Sequence, residues 1–263
     1  FNGTPIMDPK SDETRDTRHR FAEKLWEKRQ RKGISLYEAQ RLMRERNYFG
    51  SMMVEMGDAD ALISGVSRSY PNTIKPALQC IGRAPKVKKV AGMYILMTKK
   101  GPLFLADTTI NVNPDGSEIA DIALMAAQTV RQFGIVPRIA LLSYSNFGSS
   151  RDANTKKMAY ARDLLKRRFP EMIIDGEIQS NFALNVELLQ ETFSFSDLSK
   201  YGANVLIFPN LDSGNISYKL IQELTGAEAI VPILMGMNKP MHVLQLGATV
   251  YEIVNMVTIS CTV

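Results

Sequence analysis

The stretch Ile139-Ala140-Leu141-Leu142-Ser143-Tyr144-Ser145-Asn146-Phe147-Gly148-Ser149-Ser150 decides the fold class. Its first four residues are a short apolar run, the pattern of a strand buried on both faces. Small polar residues around Gly148 then interrupt the run. Ala153 to Phe169 follows as a helix, and Pro170 ends it because proline has no N–H to carry a helix on. Before the strand, Ser117 to Phe133 reads as a strongly apolar helix closed by Gly134. A buried strand with a helix on either side in the chain is the repeating unit of an α/β protein.

The same alternation extends outward. Lys88 to Met97 and Leu103 to Ala106 read as strands joined at Lys99-Lys100-Gly101-Pro102, a turn signal. Asn72 to Ile81 reads as a helix with Pro76 early in it, and Ala61 to Ser64 as a short buried strand ending at Gly65. Phe21, Leu25 and Trp26 recur at helical spacing up to Lys32-Gly33. Ser35 and Glu38 form a capping-box pair, with Leu36, Ala39, Leu42 and Met43 as a buried stripe. Toward the C-terminus come a strand at Asn204 to Phe208, a helix through Leu224, a strand at Ala229 to Leu234 and a final helix from about Val250. The order implies α/β layering on a largely parallel sheet. Phe1 to Pro9 reads as a strand and turn entered partway, so the chain is expected to be cut from something longer.

Composition narrows the function classes. The chain has 263 residues, 45% of them hydrophobic, enough for one large α/β domain or two smaller units. No apolar run reaches the ~18 residues of a membrane span, so a cytoplasmic protein is expected. Cys80 and Cys261 lie in apolar stretches and read as buried free thiols in a reducing compartment. The net charge of +5 is concentrated at Arg15 to Arg46 and Lys86 to Lys100. Glu13, Asp16, Glu23, Glu27, Glu38 and Glu45 are interleaved with those cations, which suits i,i+4 pairing on exposed helices better than a nucleic-acid stripe. His19 and His242 are the two histidines, and without a cysteine cluster they argue against zinc-type ligation. His19 reads as a surface residue. The fourteen methionines are scattered as core filler.

Loops after expected strands carry the candidate chemistry, since ligands of open α/β sheets lie at the carboxyl ends of strands. In Ser64-Gly65-Val66-Ser67-Arg68-Ser69 the glycine permits close backbone approach and Arg68 offers a charge-assisted bond to phosphate. The same residues also describe a capped turn with a surface arginine. Ser143, Ser145, Gly148 and Ser149 suit a phosphate cradle, or an N-cap with local serine bonds. Pro209-Asn210-Leu211-Asp212-Ser213-Gly214-Asn215 precedes a helix start and again suits an anion. Asp107, in Ala106-Asp107-Thr108-Thr109-Ile110-Asn111-Val112-Asn113-Pro114, reads as a ligand contact or a cap of local turns, the structural role being favoured.

These loops, in this order, resemble the phosphotransacetylase (phosphate acetyl/butyryltransferase) family. Gly57 to Gly65 is similar to its Gly-x-Ala-Asp-x-x-x-Ser-Gly, and Leu142 to Ser149 to its Leu-Ser-Tyr-Ser-x-x-Gly-Ser. Pro209 to Lys219 resembles its Pro-Asp-Leu-x-x-Gly-Asn-Ile-x-x-Lys, with Asn210 where Asp is usual. Near the C-terminus the family reads Lys-Pro-x-Asn-Asp-Leu-Ser-Arg-Gly, with an Asp seven residues after the Ser. Here Lys239-Pro240-Met241-His242-Val243-Leu244-Gln245-Leu246-Gly247 puts Gln245 and Leu246 at the Ser-Arg pair, and Glu252 stands at the later Asp. The resemblance makes that Asp position the base acting on the CoA thiol, so Glu252 is a degenerate base position. Of two further family arginines one is kept as Arg29 and the other is replaced by Lys75, which supplies charge without a bidentate fork. Losing one such donor lowers a rate by about 100- to 1000-fold.

A kept scaffold with altered reactive groups resembles the phosphotransacetylase-like domain fused to bacterial malic enzymes. The resemblance implies a two-lobed fold like isocitrate and isopropylmalate dehydrogenases, with mostly parallel sheets and an N-terminally truncated first lobe. Residues 1–87 with 232–263 would form that lobe, and residues 88–231 the inserted one. It implies acetyl-CoA as effector, bound in the interlobe cleft by Arg29, Ser64, Gly65, Arg68, Lys75, Ser143, Ser145, Gly148, Ser149, Gly214 and Asn215, while His242 lies in the altered segment and reads more readily as a residue off the ligand than on it. No metal or cofactor is expected in this chain. NAD(P) and Mg or Mn would belong to a malic enzyme catalytic domain in the same polypeptide, and the assembly would be at least a homodimer, with neither nucleic acid nor membrane as partner. A working phosphate acetyltransferase and a ligand-free oligomerisation domain are the alternatives.

Overall fold

In the computed structural model, residues 3–245 and 247–261 are described. The chain divides into two compact units, residues 1–85 with 237–253, and residues 86–236 with 254–263.

The first unit begins with helices. α1 (Arg15–Arg29) buries Phe21, Ala22 and Leu25, and Gly33 (φ +85°) closes the turn after it. α2 (Leu36–Leu42) starts where Ser35 Oγ accepts the Glu38 N–H at 3.1 Å. The return bond of a full capping box is absent among the described residues, and Leu36 is exposed while Ala39 and Met43 are buried. A third helix, α3 (Arg46–Met56), is unanticipated and stops at Gly57 (φ +85°). These helices pack around Phe21, Leu25, Met43, Phe49 and Met52, with the rings of Phe21 and Phe49 edge to face at 5.2 Å. Each such fully buried side chain contributes about 1.5–3 kcal/mol.

β1 (Leu62–Ser64) leads into α4 (Tyr70–Cys80). Pro76 inside α4 leaves the Asn72 carbonyl without its intrahelical donor. Asn47 Nδ2 donates to that carbonyl at 3.3 Å, and Asn47 Oδ1 accepts from Ser64 Oγ at 2.8 Å. One buried asparagine thus repairs the proline defect and ties α3 to β1.

The second unit is built on a six-stranded sheet. Its elements are β2 (Ala91–Thr98), β3 (Gly101–Ala106), α5 (Gly116–Gln132), β4 (Ile139–Leu142), α6 (Ala153–Arg168), β5 (Ile174–Ile178), α7 (Ser180–Leu184), α8 (Val186–Thr192), β6 (Val205–Ile207), α9 (Leu211–Thr225) and β7 (Glu228–Met235). Strand order is β5-β4-β6-β3-β2-β7. β5, β4, β6 and β3 run parallel, and β2 pairs antiparallel with both β3 and β7. α5 opens with a full capping box between Asp115 and Glu118. The core holds Leu96, Leu105, Leu142, Ile178 and Leu206 among others. The chain then returns to the first unit with β8 (Met241–Val243), parallel to β1, and continues into α10 (Val250–Ser260). The fold is α/β with a mostly parallel sheet.

Several expectations are corrected. Among the described residues, 3–9 hold no strand. β7 runs on to Met235 in the six-stranded sheet, and residues 254–263 group with that sheet, so the expected boundaries at 231 and 263 shift. β5 was not foreseen because Asp175, Gly176 and Glu177 sit at its centre, residue types depleted in strands. Cys80 is buried, but Cys261 is exposed on the last turn. No helix is long and apolar enough to cross a membrane among the described residues.

Candidate functional site

In the second unit, loops leaving the neighbouring parallel strands β4, β6 and β3 hold the small polar residues. The loop after β4 folds around Glu177 of β5, a carboxylate only 2% exposed. Glu177 Oε1 accepts the Ser145 hydroxyl at 3.1 Å and the Gly148 N–H at 2.5 Å. Ser145 Oγ lies 2.9 Å from Ser149 Oγ and accepts the Ser150 N–H at 3.0 Å, while Ser143 Oγ accepts the Ser145 N–H at 3.2 Å. Asp152 caps α6 through the Asn154 and Thr155 N–H groups, and Tyr144 donates to it. That hydroxyl, with the backbone donors, holds the Asp152 carboxyl below the usual range. Ser143, Ser145, Gly148 and Ser149 are therefore gathered as expected, but the buried hydroxyl of Ser145 points to Glu177. No cation pairs with Glu177 among the described residues. Asp-Gly-Glu in the sequence carries no signal of this role.

The loops after β3 and β6 interlock. Asp107 accepts N–H groups of Gly92, Thr109, Ile110 and Asn111, and the Asn111 amide at 2.5 Å, a structural hub as its sequence suggested. Asn215 donates to the Thr108 carbonyl at 3.1 Å. A Cβ on Gly214 would stand 2.4 Å from the Asp107 carbonyl oxygen, so only glycine lets α9 approach. Asn210 caps α9 by accepting the Ser213 N–H at 2.9 Å. Gly214 and Asn215 are thus packing and positioning residues of the loop pair.

In the first unit, Ser64 donates to Asn47. Gly65 (φ +124°) is pressed against the backbone of Leu244, where a Cβ would come within 2.3 Å of the carbonyl oxygen. Arg68 pairs with Glu45 at 2.9 Å instead of standing free. Arg29 makes bonds that its sequence did not announce: its Nε donates to the Gln79 carbonyl at 2.8 Å and its Nη2 to that of Leu78, so it caps the C-terminus of α4. Lys75 is exposed on α4. Glu252 likewise makes local bonds. Its Oε2 accepts the Thr249 N–H at 2.6 Å and the Thr249 hydroxyl at 2.9 Å, and Thr249 Oγ1 accepts the Glu252 N–H at 3.2 Å. That is a capping box at the start of α10, and it engages the carboxylate expected to act as base. Gln245 is exposed after β8, and Leu246 lies outside the described residues. His242, on β8, is 1% exposed with neither ring nitrogen hydrogen-bonded among the described residues, and burial pushes its pKa down to about 4. Among the described residues no three His, Cys, Asp or Glu side chains group to hold a metal.

The interleaved charges of the N-terminal helices also behave differently from expectation. Of the six acids named above, only Glu27 pairs within its own helix, with Lys24. Arg20 pairs with Asp58, and Lys28 with Glu55.

The small polar loops thus stand at the carboxyl ends of adjacent parallel strands, where ligands of open α/β sheets bind. The chain is a member of the phosphate acetyl/butaryl transferase family, whose model matches residues 1–261. It is 38% identical over 256 residues to a phosphate acetyltransferase of Nitratidesulfovibrio vulgaris, covering 97% of this chain and 35% of that protein. It is 41% identical over 233 residues to an NADP-dependent malic enzyme of Escherichia coli, covering 88% of this chain and 30% of that protein. The chain therefore spans about a third of each of these relatives. The EutD phosphotransacetylase from Staphylococcus aureus has a similar structure, with a TM-score of 0.88 and 30% identity, covering 99% of this chain and 79% of that one.

Proposed function

We propose that this chain is a phosphotransacetylase-like regulatory domain that binds acetyl-CoA with little or no acetyl transfer. In this reading it works beside a malic enzyme catalytic domain of the same polypeptide, which carries NAD(P) and the divalent metal. The observation that carries the proposal is Glu252: the carboxylate at the base position is held by Thr249 in a helix cap. A carboxylate fixed on its own helix cap is not free to move onto a thiol, and generating thiolate is the first need of the transfer. Leu246 at an arginine position and Lys75 at another remove further charge stabilisation. The serine loop and the α9 N-terminus still lie at the carboxyl ends of adjacent parallel strands, where ligands of open α/β sheets bind, which supports binding without turnover. Likeness to malic enzymes supports the fused arrangement. Acetyl-CoA would bias a homo-oligomer toward its less active state, which requires different affinities for the two states. A buried free thiol at Cys80 suits the cytoplasm.

A working acetyltransferase is the second reading, favoured by the relatives that bear that name. Calorimetric titration with acetyl-CoA, alongside an assay for acetyl phosphate, separates the two. Binding without product is the expected result. Product formed at a rate typical of enzymes would overturn it in favour of the transferase.

A further inference from the structure

The first unit also holds a cavity lined by basic side chains of its N-terminal helices. The first turn of α1 presents Arg15, Arg18 and His19 at i, i+3 and i+4, and α2 presents Tyr37, Gln40 and Arg41 at the same spacing. These residues, with Arg44 just beyond α2, line one cavity of about 360 Å³. No Asp or Glu lines it. Arg15, Arg41 and Arg44 form no ion pair among the described residues, although Glu13, Asp16, Glu23 and Glu38 lie near them in the sequence. Arg18 is fixed from one side: its Nη1 donates to the carbonyls of Pro9 at 3.0 Å and Ser11 at 2.5 Å and to Thr14 Oγ1 at 2.7 Å. Its Nη2 and Nε make no bond within the protein among the described residues.

Four guanidiniums around one small cavity repel one another, and a polyanion would relieve that repulsion. One exposed arginine contributes little to binding, so the arrangement favours a ligand with several charges over a single carboxylate. Guanidinium forks match phosphate oxygens. Tyr37, among the most exposed aromatic side chains, stands at the rim as a platform for a planar ring. The volume lies at the small end for ligand pockets.

We propose that the α1–α2 cavity binds a nucleoside polyphosphate, its phosphates on Arg15, Arg18, Arg41 and Arg44 and its base on Tyr37. The shared chemistry is a base joined to clustered phosphates, present in free nucleotides and at the nucleotide end of CoA thioesters.

The test is calorimetric titration of the whole chain with ATP, ADP, AMP and inorganic triphosphate in magnesium-free buffer at low and moderate salt. Affinity should rise from AMP to ATP and fall with salt. Tyr37→Ala should bring ATP to the level of inorganic triphosphate. Arg15→Ala, Arg41→Ala and Arg44→Ala should each weaken ATP about tenfold, while the corresponding lysine variants lose less. The substituted side chains are exposed, and an unchanged thermal midpoint confirms folding. Competition by acetyl-CoA would identify the nucleotide end of a CoA thioester as the source, and its absence a free nucleotide; both outcomes retain the site. ATP binding in this test does not depend on acetyl-CoA binding at the loops. The proposal is overturned by an absence of saturable ATP binding at millimolar concentration, by a triple alanine variant that binds ATP like the parent, or by an oligonucleotide that saturates the cavity and resists displacement by ATP.

Discussion

His242 is a residue whose surroundings strongly alter its chemistry. Its ring is buried on β8 without a hydrogen-bond partner among the described residues, so protonation in place would leave a charge in apolar surroundings. Burial lowers its pKa from 6.5 to about 4. Between those values the unfolded chain binds the proton and the folded chain does not. Stability therefore falls as pH drops from 6.5 to 4, by about 3 kcal/mol from this group. Above pH 6.5 the penalty is absent. Urea midpoints of the protein and of His242→Leu, measured from pH 7 to pH 4, should diverge across that window. Parallel curves would show that His242 is not buried neutral. Glu177 is the contrasting case, because its buried carboxylate accepts from Ser145 and Gly148 and fixes the serine loop.

At the scale of elements, helix ends engage several of the polar side chains that the sequence left open. Arg29 caps α4, Asn210 caps α9, and Thr249 with Glu252 caps α10. Thr249→Ala should destabilise the protein by about 1 kcal/mol. Glu252→Gln should leave stability and acetyl-CoA affinity nearly unchanged, since glutamine serves equally in a capping box. Chemical denaturation with a parallel ligand titration checks both. A large loss of acetyl phosphate formation in Glu252→Gln, from a measurable parent rate, would restore that residue as a base. The apolar periodicity of α5 and α6 could be read directly because their buried stripes repeat at helical spacing. β5 could not, because its buried acids are satisfied by loop donors far along the chain, Ser145 and Gly148 to Glu177 and the Asp197 N–H to Asp175.

At the scale of the molecule, the homo-oligomer of the proposed function needs an apolar face between copies. Ile216, Leu220 and Leu224 are exposed at four-residue spacing on α9, an apolar stripe that suits a second copy. Leu220→Glu with Leu224→Glu should shift sedimentation from dimer toward monomer. An unchanged distribution would place the oligomer contact elsewhere.

The sequence by itself determined the α/β class, most element positions, the family and the loops that bear small polar residues. Those signals are local: periodicity, glycine and proline punctuation, and short ordered motifs. Only the tertiary structure decided what each polar side chain does. It turned Arg29 and Glu252 into helix caps, set Glu177 beneath the serine loop, left β2 antiparallel to both its neighbours, and gathered four arginines of α1 and α2 around one cavity. The reason is that a hydrogen bond or ion pair depends on the partner within about 3 Å. That partner is supplied by packing between distant segments and not by neighbours in the chain.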